Sequence, residues 1–296
     1  MEVASRGWRK PLAGALKSLF AVHFDVVDGC QLKCVGCPIS TLQPKIKRIS
    51  VEDFGLCLGN IDVKAIQLLR LFNYGEAFLH PELPALLLEI PKQSWWVRNV
   101  ELSTNGQSVS PERLEAVIRT GVLTRLVVSC DGDGTAEDYE RLRPPGRWPE
   151  LLAFLKRASD LRDRFQPRLE LMTRTICTDP EGQARWLSLL EPLGWRPDFR
   201  GWLTLPDASQ DIAGQAPGEG VCGFLTHDDT LYVNAMGEVV PCCFHPKAAI
   251  LGNLMHQTFN EVMAGERRTA FGETMKTGRA DMPVCGSCPA SATTAA

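Results

Sequence analysis

Three cysteines within eight residues, Cys30, Cys34 and Cys37, directly follow an apolar run near the start of the chain, and this grouping constrains the molecule more than any other feature. The chain has 296 residues and 11 cysteines. Five more, Cys222, Cys242, Cys243, Cys285 and Cys288, gather near the other end. The remaining Cys57, Cys130 and Cys177 stand alone in apolar stretches and read as small buried hydrophobes. Arg6, Arg9 and Lys10 make a basic start, but Lys17, His23 and Asp25 interrupt the apolar run and no small-residue cleavage site follows, so no export signal is expected. The expected compartment is therefore the reducing cytoplasm, where disulfides are disfavoured and clustered thiols read as metal ligands or redox groups. A net charge of −3 gives no general pull toward nucleic acid or acidic membrane. No apolar run approaches the ~18 residues of a membrane helix. With 23% charged and 44% apolar residues the composition excludes wholesale disorder.

The pattern from about residue 20 to 207 alternates. Apolar, β-branched runs at Ala21–Val27, Ile66–Phe72, Val97–Leu102, Thr124–Ser129, Arg168–Ile176 and Phe199–Leu205 read as strands, with helical segments between them. Ser50 with Asp53 resembles a capping box, Ser110-Pro111 an N-cap with a first-turn proline, and Pro149–Phe165 and Pro180–Leu193 read as helices. Repeated β-then-α units imply a parallel sheet with right-handed crossovers. Six units are too few for the eight-stranded barrel, so an α/β fold with a partial (βα)6 barrel is expected. Residues 208–220 read as a linker, Leu231–Val240 as a hairpin around Asn234–Gly237, and Thr258–Ala264 as a short helix. The expected organisation is an N-terminal extension (1–19), the barrel (20–207), a small hairpin-and-helix domain (208–290) and a tail (291–296). About eighty residues cannot build an ordinary core, so that small domain needs a staple, which its cysteines can supply.

Active sites of parallel α/β folds lie at the carboxyl ends of strands, which is where the Cys30–Cys37 loop falls. Three thiolates at this spacing can hold three corners of a cubane iron–sulfur cluster and leave the fourth iron free for a substrate or cofactor. A zinc site wants a fourth ligand, and no fourth thiol is close in sequence. A chance grouping of loop cysteines is the remaining alternative.

The Cys-x3-Cys-x2-Cys loop after the first strand resembles the signature of radical S-adenosylmethionine (SAM) enzymes. Asn73-Tyr74-Gly75-Glu76 resembles that family's Gly-Gly-Glu motif, with Tyr74 in place of the first glycine. Ser129-Cys130-Asp131-Gly132 is similar to a Ser-x-Asp-Gly seen in many members, and Ser103-Thr104-Asn105-Gly106 ends the strand before it. The resemblance implies one [4Fe–4S] cluster on Cys30, Cys34 and Cys37, with SAM bound through Gly75, Glu76, Asn105, Ser129 and Asp131. Glu76 would accept the methionine ammonium, and Arg141 would pair with the methionine carboxylate. Plainer readings are a rim carboxylate bound to a backbone amide and a solvated helix arginine. The resemblance also implies an electron donor such as a flavodoxin or ferredoxin.

The run Leu231–Cys242, then Leu251-Gly252-Asn253-Leu254, then Cys285-x2-Cys288 resembles the family's auxiliary-cluster domain, called SPASM in full form and twitch in shortened form. The shortened form fits the length. It implies a second [4Fe–4S] cluster on Cys222, Cys242, Cys285 and Cys288; a four-cysteine zinc site looks alike in sequence. Cys242 lies five residues after Gly237, the ligand position of the pattern, which leaves Cys243 spare. Cys243 reads either as packing or as a hydrogen-atom donor to a carbon radical, with His245 a possible proton partner or a structural histidine.

The resemblance implies C–H abstraction from a small polyhydroxylated molecule, an amino sugar or aminocyclitol, as in members of antibiotic biosynthesis. Epimerisation with Cys243 as donor is favoured over oxidation of a carbinol to a ketone through the auxiliary cluster. Arg174 and Asp207 are candidate substrate contacts or plain rim ion-pair partners. The short segment before the first strand weakens a peptide-modifying reading. The remaining rivals are a non-enzymatic iron–sulfur or zinc protein.

Overall fold

A computed structural model describes residues 18–226 and 228–291. The basic start and most of the N-terminal extension, with residues 292–296 of the tail, lie outside them. Six parallel strands run in sequence order across the main sheet: β1 (Ser18–Phe24), β4 (Ala65–Arg70), β5 (Trp96–Thr104), β6 (Arg125–Ser129), β7 (Glu170–Ile176) and β8 (Arg196–Arg200). Between β1 and β4 a short ribbon of β2 (Val27–Asp28) and β3 (Lys47–Arg48) forms antiparallel. It brackets the cysteine loop and the short helix α1 (Pro38–Leu42).

The crossovers are α2 (Val51–Gly59), α3 (Leu83–Glu89), α4 (Pro111–Arg119), α5 (Ala136–Leu142) with α6 (Trp148–Phe165), and α7 (Pro180–Leu190). Their starts are set locally. Ser50, Ser110, Thr135 and Asp179 each accept an amide of their helix's first turn, satisfying donors that the helix itself leaves free. The buried faces of strands and helices meet in one core that includes Phe24, Phe54, Ile66, Leu69, Leu126 and Trp186.

The hairpin is present as β9 (Thr230–Val233) and β10 (Glu238–Val240), with β11 (Gly252–Asn253) beside it. It does not stand apart from the barrel. β9 pairs in parallel with β1, from Ala21 with Thr230 to Phe24 with Val233, so one nine-stranded sheet runs through both regions in the order β11-β10-β9-β1-β4-β5-β6-β7-β8. The helix α8 (Phe259–Ala264) carries a complete capping box between Thr258 and Glu261. A further helix, α9 (Glu266–Gly278), follows it. Beyond the sheet a second, smaller core packs Cys222, Phe224, Leu225, Tyr232, Val240, Met275 and Cys288 together.

The sixth strand differs from the sequence expectation. It spans Arg196–Arg200 and not Phe199–Leu205. As the edge strand it tolerates Pro197, and the apolar residues after it leave the ladder to line the cavity described below. Among the described residues no helix is long and apolar enough to cross a membrane.

Candidate active site

At the carboxyl ends of the parallel strands lies a cavity of about 380 Å³. Cys30, Cys34 and Cys37 line it together with Gly75, Glu76, Asn105, Ser129, Asp131 and Arg174. Residues separated by up to 144 positions are thus brought to one wall because each ends a strand of the same sheet. Burial is the main force on the three thiols. It pushes Cys30 up to about 11 and Cys34 up to about 12, and raises Cys37 as well. Asn105 Nδ2 lies 3.5 Å from Cys30 Sγ, and the Leu32 amide 3.4 Å.

The loop that carries Gly75 and Glu76 is held from below by Asp25. Its carboxylate accepts the amides of Asn73 at 2.7 Å, Tyr74 at 3.0 Å and Gly75 at 3.1 Å. A side chain at Gly75 would collide with the Val27 carbonyl, so only glycine fits this approach. In the sequence Asp25 carries one signal of this role, a lone carboxylate at the end of an apolar strand. Glu76 accepts from Phe78 N (3.0 Å), Thr104 Oγ1 (2.8 Å) and Asn105 N (2.7 Å). A carboxylate has about four acceptor sites, so about one remains for a ligand.

Arg141 does not reach the cavity. Its side chain is 62% exposed and pairs with Asp138 along the same helix. Arg143 takes the inward place instead, lining the cavity and pairing with Asp131, whose other oxygen accepts from Ile176 N at 3.1 Å. The reason is local. Arg141 is in the last turn of α5, whereas Arg143 is its C-cap, with φ −126° and ψ 49°, and leaves the helix direction. Arg143 Nε is buried without a hydrogen-bond partner among the described residues.

Arg174 lines the cavity, lies over the Phe72 ring at 4.8 Å and pairs with Glu101 at 2.5 Å. Glu101 also holds Arg125 at 3.0 Å and Arg70 at 3.5 Å, and these cations keep its carboxyl below the usual range despite burial. Beneath the cavity Tyr232, His23, Arg70, Glu101, Arg125 and Glu170 stand in register across six neighbouring strands. Arg70 Nη1 sits 3.0 Å from His23 Nε2. A guanidinium only donates, so Nε2 accepts and the ring proton is on Nδ1. Burial and the arginines Arg70 and Arg174 lower His23 to about 3, which keeps it neutral.

Asp207 does not line the cavity; its carboxylate is 3.1 Å from His245 Nε2. His245 Nδ1 accepts the Lys247 amide at 3.1 Å, so Nε2–H is the donor to Asp207. The pair links the segment after β8 to the segment after β10.

A second pocket is lined by Cys222, Cys242, Cys285 and Cys288, with Phe224, Phe244, Phe271 and Met275 around them. These thiols surround the pocket and are not drawn to one point: among the described residues no three His, Cys, Asp or Glu side chains form a single-ion site. Arg279 closes the pocket by donating to the carbonyls of Cys285, Cys288 and Ala290. Cys243 lines neither cavity. Burial pushes its thiol up to about 11, while the facing Tyr232 hydroxyl and Arg70 act in the opposite direction.

Comparison with known families follows this division. Residues 25–166 match the model of the radical SAM superfamily, and residues 222–289 match SPASM, an iron–sulfur cluster-binding domain. The chain is a radical SAM protein with a SPASM domain. Comparison with curated protein sequences gives no match. Among solved structures it is similar to BtrN in complex with AdoMet and 2-DOIA (14% identity, TM-score 0.55, covering 92% of this chain and 94% of that one). It is also similar to anSMEcpe with bound AdoMet and the Cp18Cys peptide (15% identity, TM-score 0.61, covering 91% and 88%). At such identities the likeness shows the fold.

The radical SAM domain implies SAM and a [4Fe–4S] cluster, and the SPASM domain implies auxiliary iron–sulfur ligation. The residues present fit both groups. Each thiol set lines a pocket of its own, and burial disfavours thiolates there unless a cationic centre stabilises them. The orphaned Arg143 Nε adds a donor for an anionic group at the first site.

Proposed function

We propose that this radical SAM enzyme abstracts hydrogen from a C–H bond of a small polyhydroxylated amino sugar or aminocyclitol and inverts that carbon. The observation that supports inversion is the separation of the adjacent thiols. Cys242 lines the auxiliary pocket with three other cysteines, whereas Cys243 lies outside it, next to Tyr232 at the seam with β1. A spare thiol is what inversion needs, because the substrate radical must receive hydrogen from the opposite face.

In this reading Cys30, Cys34 and Cys37 hold the catalytic cluster, and Cys222, Cys242, Cys285 and Cys288 hold the auxiliary one. With SAM bound, the catalytic cluster supplies a 5′-deoxyadenosyl radical. The chain's own groups orient the reactants. Gly75 and Glu76 take the methionine ammonium through a backbone carbonyl and the remaining carboxylate lone pair. Arg143, held by Asp131, presents donors to the methionine carboxylate in the place expected for Arg141. Asn105 and Ser129 supply polar contacts on the same wall, and Arg174, braced by Glu101, offers a donor to the substrate. Cys243 donates the hydrogen atom that completes inversion, and the thiyl radical left on its sulfur returns to the thiol by taking one electron from the external electron donor and one proton from solvent. A flavodoxin or ferredoxin is the expected electron source.

Oxidation of a carbinol to a ketone is the second reading, supported by the structural likeness to BtrN solved with 2-DOIA. Anaerobic turnover with SAM, a reductant and a panel of amino sugars tests both. Formation of 5′-deoxyadenosine without any inverted or oxidised sugar would remove the substrate class; an oxidised product would replace inversion by dehydrogenation.

A further inference from the structure

The chain has three tyrosines. The Tyr139 hydroxyl is paired with Gln107 Nε2 at 3.1 Å, as buried hydroxyls usually are. The Tyr74 and Tyr232 hydroxyls are also buried, yet neither has a hydrogen-bond partner among the described residues; Tyr232 does not line the strand-end cavity. Tyr74 lines the strand-end cavity with Cys30, Cys34 and Cys37. Its backbone cannot easily turn the phenol away. Three consecutive amides, its own included, are fixed on the Asp25 carboxylate, and Gly75 is wedged against Val27. A rigidly held, buried hydroxyl without a partner is unfavourable until a ligand or water supplies one.

We propose that the Tyr74 hydroxyl is a substrate contact that hydrogen-bonds an oxygen of a polyhydroxylated ligand seated against the Cys30–Cys37 loop. This inference rests on the substrate class proposed above and names a residue that recognises it. The wall around the phenol fits that class. Phe72, Trp202 and Leu205 offer apolar surface to the C–H faces of a ring, and Arg174 and Arg200 offer further donors to its oxygens. Glycine stands at this position in the motif that residues 73–76 resemble, so the phenol is a feature of this chain's own pocket.

Tyr74→Phe removes the oxygen and keeps the ring. The ligand-free variant should melt higher than the wild type, because an unpartnered hydroxyl has been taken from a buried site. In the reconstituted protein, calorimetric titration with 2-deoxystreptamine, an aminocyclitol, should show binding at least about tenfold weaker than in the wild type, while SAM affinity is unchanged. A lower melting temperature would mean that the hydroxyl serves the fold and would overturn the assignment. So would equal probe binding in the two proteins, or a loss confined to SAM. If the wild type binds no 2-deoxystreptamine, the aminocyclitol class fails, and the melting comparison alone still decides for or against Tyr74.

Discussion

Arg143 and Asp131 form a buried ion pair on the cavity wall, two residues beyond an arginine that points to solvent. The two arginines should therefore behave oppositely. Arg143→Gln leaves the Asp131 carboxylate buried and unpaired, a change that costs roughly 3–5 kcal/mol, and it should abolish SAM binding. Arg141→Ala removes an exposed pair within one helix and should alter stability by no more than about 0.5 kcal/mol. Denaturant unfolding with calorimetric SAM titration reads both. Loss of SAM affinity in Arg141→Ala would restore the arginine expected from the sequence.

Asp25 gives a pH signature. Burial raises its carboxyl from the ordinary 3.8 to about 6, although three backbone amides favour the ionised form. The folded state therefore holds the proton more tightly than the unfolded state. Its contribution to stability is fully present below pH 3.8 and is lost as the pH rises through about 6. Asp25→Asn cannot titrate. Between pH 4 and 6.5 the unfolding free energy of the wild type should fall relative to that of the variant, and the two curves should run parallel above that range. A difference that grows in the other direction would show that the amide bonds outweigh burial.

Much of this fold is written in local chemistry. The parallel strands appear as β-branched runs because both faces are covered, and the starts of α2 and α4 appear as Ser50 and Ser110 because those side chains cap them. The errors have equally physical causes. Arg196, Pro197, Asp198 and Arg200 do not resemble a buried strand, since β8 is an edge with a single partner, so the apolar residues after it attracted the assignment. The pairing of β9 with β1 joins residues about two hundred positions apart and leaves no local trace. In α9 only Arg268, Gly272 and Met275 are buried, which is too little apolar patterning to announce a helix. At the site, the strand-end motifs converge as expected because sheet topology places them. Arg143 is not legible in the sequence because cap geometry decides which of two nearby arginines turns inward, and of the two readings of Asp207 the structure shows an ion pair, whose partner His245 comes from a distant loop.

The four auxiliary thiols should be structural as well as redox ligands. They belong to the small second core, where few other large side chains are available. Replacing Cys222, Cys242, Cys285 or Cys288 by Ala should take the reconstituted protein from about eight irons to about four and lower its melting temperature, because cluster binding there is coupled to folding. Replacing Cys30, Cys34 or Cys37 should leave about four irons but stop 5′-deoxyadenosine formation. Normal melting in all four auxiliary variants would mean that the core stands without its cluster.

Cys243 separates inversion from its alternatives. If it returns a hydrogen atom to the substrate radical, Cys243→Ala should keep both clusters, bind substrate and still form 5′-deoxyadenosine, because abstraction comes before the thiol acts. Inverted product should vanish, with quenched or shunt species in its place. In heavy water the wild-type product should carry one solvent deuterium at the inverted carbon, since a thiol proton exchanges with water. Mass spectrometry and NMR of the product read the label. A variant that turns over normally, with no label in the wild-type product, would reduce Cys243 to packing beside Tyr232. Loss of auxiliary iron in Cys243→Ala would exchange the roles of the two neighbouring cysteines, contrary to the position of Cys242 on the pocket wall. A ketone product would leave Cys243 without a donor's task and assign the reaction to oxidation.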